Sequence, residues 1–548
     1  MRTALRVLGI TLAVAALGVA ALALYVRSAL PPERGTIVLA GLSEPAEVWR
    51  DSLGVPHIWA EGAHDLMVAQ GYVHAQDRLW QMELLRRAAE GRLAELFGPA
   101  LVPSDRFLRT LGLWSAAGAA EATLEPGVRA LLEAYAAGIN AWIADTHGAL
   151  PPELLLTRAR PEPWTPRHSL AIEKIMAMDL SLYQTSLSAT RAAARLGAEA
   201  LPVLLPGYPS WGGTIVDGPA LPAVPGPAAA LVASGSIAHA SNAWVIGGAH
   251  TASGRPILAN DMHLALRAPS LWYLAALHAA RADGLPGGEG RGLDVAGTTL
   301  PGVPFVITGH NRAVAWGFTN AMVDDVELFV ERADPRDPSR YLVPGGAEPF
   351  RVRTDTIRVK GREAGVEHTI RSTRHGPVIS DLEEGLGGDV VALRWLAHDP
   401  ASSVRALPAM NLAADADALV AAVDAFDNPH VNIVYADTAG AFGYVMAGRV
   451  PLRANGAPPP LLPVPGWSGE WDWTGELPFD RHPRTRSPAR GYVVSANNRQ
   501  AAGAVADRVT TFWADPFRAL RISALVEAAI ARGGVDAAAV HRMQLDVV

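Results

Sequence analysis

The run Ser241-Asn242-Ala243-Trp244-Val245-Ile246-Gly247-Gly248, entered through Gly235-Ser236-Ile237-Ala238-His239-Ala240, constrains the fold more than any other stretch of the sequence. Trp244-Val245-Ile246 has strand composition. His250-Thr251-Ala252-Ser253-Gly254 reads as a turn, and Pro256-Ile257-Leu258-Ala259 as the returning strand. The returning strand runs on into Asn260-Asp261-Met262-His263-Leu264. On residue types alone this is a β-hairpin that follows a linker.

A chain of 548 residues, 49% hydrophobic and 18% charged, is a folded chain with room for a large core and more than one domain. A net charge of −7 without a basic stripe excludes nucleic acid as a partner. The absence of cysteine excludes disulfides, a thiol nucleophile and thiolate metal sites. Arg2 and Arg6 precede an almost uninterrupted apolar run from Val7 to Val26, which Arg27 closes. Residues 1–30 therefore read as a secretory signal or as an uncleaved anchor of a single span. Either one takes the rest of the chain out of the cytoplasm, into the periplasm or onto the outer face of the cytoplasmic membrane.

Val48-Trp49-Arg50-Asp51 and Val55 to Ala60 read as two short strands around a turn. A helix is expected from about Asp65, with Leu66, Ala69, Val73, Trp80 and Leu84 at helical spacing, ending near Gly91 to Pro99. His57, His64 and His74 read as structural histidines rather than a metal cluster. A second helix is expected from about Gly127 to Thr146, and a further helical stretch from Pro166 to about Gly197. Residues 31–205 are thus mainly helical. From 206 to 240 the composition is that of a spacer or linker, rich in Pro, Gly and Ala. Beyond Ser241 the runs Val303 to Thr308, Ala313 to Phe318 and Val431 to Ala436 are strand-like, and Asp515 to Arg532 reads as helix. No Gly-x-Ser-x-Gly elbow, His-Glu-x-x-His pair or P-loop is present.

The segments Gly54 to Ile58, Gly71 to Glu83, Ser241 to Gly248, Leu258 to Leu264 and Asn497-Asn498-Arg499 closely resemble those of the penicillin acylase family, a branch of the N-terminal nucleophile hydrolases. The resemblance spans about residues 45 to 548. It implies an α+β fold, the four-layer αββα sandwich formed from α and β chains of one precursor. It also implies self-cleavage at Ala240-Ser241, which frees a serine whose α-amine, with an ordinary pKa of about 7.7–8.0, can act as the base. Family members run on further, so 241–548 is expected to be a β-chain region lacking a C-terminal part.

Carried over residue by residue, Ser241 is the nucleophile and His263 lies near the serine amine. The Asn320 N–H and the Asn497 side chain form the oxyanion hole, with Arg518 beside Asn497. A surface salt bridge is the plainer reading of Arg518. The resemblance further implies a calcium ion held by Asp324, the Val326 carbonyl and Glu327, with Asp507 more distant. Oxygen donors of this kind suit Ca²⁺. The sequence departs from the pattern in one respect: no acid occurs between Asp179 and Glu199, and Ser188 lies about where the α-chain ligand belongs. No organic cofactor is implied. The expected activity is hydrolysis of N-acyl amides such as β-lactam side chains or acyl-homoserine lactones. Two alternatives are a non-catalytic envelope binding protein and a tethered peptidase using the same site. Leu264, beside His263, falls at an apolar pocket position of the family.

Overall fold

The computed structural model describes residues 2–30, 34–145, 150–218, 240–386 and 389–546. Helix α1 (Arg2–Ala29) carries exposed leucines and valines, and its segment Thr3–Ala29 is long and apolar enough to cross a membrane. The elements that position the site follow in chain order. Strands β1 (Ala46–Arg50) and β2 (Pro56–Gly62) precede helices α2 (Ala63–Glu90), α3 (Pro126–Asp145), α4 (Pro166–Leu180) and α5 (Tyr183–Leu196). The single helical stretch expected after Pro166 is two helices, because Ser181 turns extended and ends α4.

The strand-rich half contains β3 (Ala240–Ile246), β4 (Ile257–His263), β5 (Tyr273–Arg281), β6 (Leu293–Leu300), β7 (Val303–Asn311), β8 (Val314–Asn320) and β9 (Val326–Glu331). It continues with β10 (Val390–Trp395), β11 (Val431–Asp437), β12 (Phe442–Ala447), β13 (Pro451–Arg453), β14 (Arg484–Arg486) and β15 (Tyr492–Ser495). Helices α6 (Phe517–Arg532) and α7 (Ala537–Gln544) follow.

Nine strands form the larger sheet, in the order β1-β2-β5-β6-β7-β8-β11-β12-β14. β2 pairs in parallel with β5, so the N-terminal, mainly helical region contributes two strands to a sheet built mostly from the second half. A smaller antiparallel sheet has the order β15-β3-β4. Three apolar clusters lie between successive layers. Leu66, Leu132, Ile139 and Ile172 of the helices meet Leu277, Val295, Trp316 and Ile433 of the large sheet. Ala243, Val245 and Val493 of the small sheet meet Val434, Tyr444 and Met446 of the large one. Trp244, Ile246 and Val494 meet Ile522 and Val526 of α6. Period-two alternation along β3 therefore sends one face into each neighbouring core. The architecture is α+β, in four layers ordered αββα.

Helices α2 and α3 cross at glycines. A Cβ on Gly71 would lie 2.0 Å from the Tyr135 carbonyl oxygen, and one on Gly138 1.8 Å from that of Val68. Behind this crossing His74 is buried, with Nδ1 2.7 Å from the Tyr135 hydroxyl and Nε2 3.0 Å from that of Thr299. Burial pushes its pKa down to about 3, so it stays neutral and ties helix to sheet, as a structural histidine should.

The spacer expected from 206 to 240 needs a correction at its start. Ile215 is buried, and Ile215 and Val216 donate backbone hydrogen bonds to Arg499 and Gln500. Tyr208 and Trp211 pack edgewise or tilted against Trp513 and Phe517. These side chains carry enough apolar surface to hold 206–218 on the body despite the Pro/Gly-rich average. Residues 219–239 of the spacer lie outside the described residues.

Candidate active site

Ser241 sits on β3 opposite Met262, with Ala240 opposite His263 and Asn242 opposite Asp261 on β4. Two residues before Ala243, Ser241 shares the inter-sheet face of the strand. It opens there onto a cavity of about 100 Å³ shared by Met262, Leu264, Trp272, Phe318, Phe426 and other apolar side chains. Leu264 therefore lies where the sequence places a pocket residue.

The backbone N–H of Ser241 donates to Asn497 Oδ1 at 2.9 Å, and its Oγ donates to the Ala240 carbonyl oxygen at 2.7 Å. The hydroxyl thus rests against the carbonyl group of the peptide that precedes it. Asn497 has φ 63°, a left-handed conformation that asparagine tolerates better than other residues with a Cβ. Its Nδ2 donates to the Asn320 carbonyl at 2.8 Å, so its side-chain amide bridges β3 and the end of β8.

Arg518, near the start of α6, donates from Nη1 to the Ser241 carbonyl and to Asn242 Oδ1, each at 2.8 Å, and from Nη2 to Asn497 Oδ1 at 3.0 Å. It clamps the serine and the asparagine from the helix side and is no surface salt bridge. Burial lowers its pKa, and the charge of Asp261 opposes that shift. Asn320 lines the same cavity as Ser241. Its side chain donates to the Leu180 carbonyl at 3.0 Å and accepts from the Met322 N–H at 3.0 Å, which fixes the turn after β8.

His263 is brought near Ala240 but not to the cavity face. The alternation that aims Met262 inward turns Asp261 and His263 toward the helices. His263 Nε2 lies 2.5 Å from Asp261 Oδ2, which also accepts from Asn242 Nδ2 at 3.0 Å. Four residues escaped the sequence reading. Asp261 and Asn242 connect His263 to Arg518. Asn260 cross-links the sheets, donating to the carbonyls of Asn242 (2.8 Å) and Phe318 (2.9 Å). Gly317 opposite it must lack a side chain, since a Cβ would lie 2.7 Å from that of Asn260. The fourth, Glu173 on α4, is the one ionisable residue among the described residues that line the cavity. Its carboxylate accepts from the Ser402 hydroxyl and from the Ser403 N–H, and burial pushes its pKa up to about 7. A helical face shared with Met176 and Leu180 gave no signal for it.

The residues expected to hold calcium do not fit a cation. Glu327 on β9 is ion-paired with Arg453 on β13, both fully buried. Arg453 Nη2 also donates to the Asp324 carbonyl at 3.3 Å. Val326 pairs with Trp395 in the β9–β10 ladder. Asp507 is turned to Arg499 at 2.5 Å, and Ser188 on α5 is exposed. Among the described residues no group of three His, Asp or Glu side chains is arranged to hold a metal ion.

The sequence profile of the penicillin amidase family matches residues 45–548. The chain is 36% identical over 534 residues to the penicillin acylase 2 proenzyme of Pseudomonas sp. (strain SE83), covering 94% of this chain and 66% of that protein. It is 31% identical over 546 residues to acyl-homoserine lactone acylase QuiP of Pseudomonas aeruginosa, covering 94% and 62%. The chain thus spans 62% to 66% of the length of these relatives. The solved thermostable penicillin G acylase from Alcaligenes faecalis aligns with 47% of this chain and 44% of that chain, at 26% identity and a TM-score of 0.41. With its profile matched from residue 45 to residue 548, the chain belongs to the penicillin amidase family.

Proposed function

We propose that this protein is a self-processing amidohydrolase of N-acyl compounds. The observation that carries the reading is the position of Ser241: it opens onto an apolar cavity, with its Oγ 2.7 Å from the Ala240 carbonyl oxygen. In the precursor, Oγ attacks the Ala240 carbonyl carbon, the C–N bond to Ser241 breaks, and water opens the resulting ester. The freed α-amine of Ser241 then takes the hydroxyl proton as Oγ attacks the acyl carbonyl of a substrate. The Asn320 N–H and Asn497 Nδ2 hold the oxyanion. The amine leaves with a proton, and water releases the acid from Ser241. Arg518 acts by holding Ser241 and Asn497. His263 acts through Asp261 and Asn242 on that clamp, without touching Oγ.

The two segments on either side of the cut stay together as an α and a β chain, because β2 and β5 share a sheet. Helix α1 serves as the export signal or as a tether to the outer face of the membrane. The acylase names of the relatives support amide hydrolysis, and the cavity supports an apolar acyl group. No Lys, Arg or His is among the described residues that line the cavity, so a carboxylate at the end of the acyl chain would be buried there unpaired and beside Glu173, which is strongly unfavourable. The test compares N-hexanoyl and N-glutaryl derivatives of one amine. The expected kcat/KM for the hexanoyl compound is higher by about tenfold or more. Preference for the glutaryl compound would contradict the assignment of the cavity.

A further inference from the structure

The side chains around Glu327 are organised by a guanidinium. Arg453 comes from β13 and Glu327 from β9, and neither side chain is measurably exposed beyond 1%. The guanidinium spreads its donors over three acceptors: the Glu327 carboxylate, the Pro451 carbonyl at 3.2 Å and the Asp324 carbonyl at 3.3 Å. It thereby links the start of β9 to β13, the task a bound divalent ion performs when carboxylates and carbonyls converge on it. We propose that Arg453 is the built-in cation of this site and takes the place of calcium there.

A calcium ion on Glu327 would stand a few ångströms from the guanidinium, where like charges in a poorly solvated interior repel strongly. The remaining donors would also fall short of the 6–8 oxygens calcium takes, since Asp507 is engaged by Arg499 and Ser188 faces solvent. Among the described residues Asp324 Oδ1 and Glu327 Oε2 have no partner at full hydrogen-bonding geometry, the Val326 N–H and the Trp473 indole acting on the two carboxylates only weakly. They are the acceptors an ion would use once the guanidinium was gone. The proposal does not depend on Ser241 being a nucleophile, and its readouts are not enzymatic.

The experiment measures the calcium content of the purified native protein by atomic emission. It also measures the thermal midpoint in EGTA and in millimolar CaCl₂. The expected result is substoichiometric calcium and the same midpoint in both. One calcium per chain, or a midpoint several degrees lower in EGTA, would overturn the proposal. In EGTA, Arg453→Met is expected to lower the midpoint by about 5 °C, because it leaves Glu327 buried without its partner. An Arg453→Met protein as stable as the native one in EGTA would also overturn it. If the variant does not fold, the native protein's calcium content and EGTA response decide alone.

Discussion

Replacing Ser241 by alanine is expected to lower amide hydrolysis by about 10⁴-fold or more, the loss seen when a serine nucleophile is removed from a site that works as a unit. The substitution removes one atom. The N–H that donates to Asn497 and the carbonyl that accepts from Arg518 belong to the backbone of residue 241, so both contacts survive it. The loss is therefore expected without a fall in thermal stability. Release of a chromogenic amine from an acyl anilide, read beside a melting curve, checks both halves. A variant retaining a tenth of native turnover would show that another group attacks the substrate.

Asn497 carries the second large effect. Removing one oxyanion donor commonly costs about 10²–10³ in rate, or roughly 3–4 kcal/mol. Asn497→Ala removes that donor, but it also places alanine at φ 63°, which costs on the order of 1–2 kcal/mol in stability. Asn497→Asp separates the two. Its carboxylate can still accept from the Ser241 N–H and from Arg518, but it has no N–H to offer an oxyanion. Both variants are expected to lose kcat by about 10²-fold or more with KM changed little. Native kcat in Asn497→Asp would remove Asn497 from the oxyanion hole.

Much of this arrangement was legible in the sequence, where the signals are local. The β3–β4 hairpin follows from alternating residues on either side of a turn, and helix α2 ends at Gly91, whose φ of 63° gives the left-handed cap that glycine favours. The family resemblance rested on short ordered motifs, and the profile match over residues 45–548 agrees with it. The structure brings Asn320, Asn497 and Arg518 together around Ser241, although 256 positions separate Ser241 from Asn497. Residue types alone had no means of pairing them.

What escaped the sequence shares a physical cause. His263, expected near the serine amine, pairs with Ala240, and the register of β4 turns it and Asp261 away from the cavity face, since one residue of offset reverses a strand's face. The pairing of Glu327 with Arg453 spans 126 positions and leaves no local trace, so an acidic run read as a calcium loop. Tyr208, Trp211 and Ile215 were averaged into a Pro/Gly-rich segment that the burial of Ile215 and the ring contacts of Tyr208 and Trp211 contradict.

The central claim, that the chain cuts itself before Ser241, is tested most directly by intact mass and N-terminal sequencing of the purified protein. Ser241→Ala, prepared in parallel, is the control. The account predicts two polypeptides from the native protein, one beginning Ser-Asn-Ala-Trp-Val, and a single uncut chain from the variant. A single uncut chain from folded native protein, or a cut before residue 241 that persists in Ser241→Ala, would contradict it.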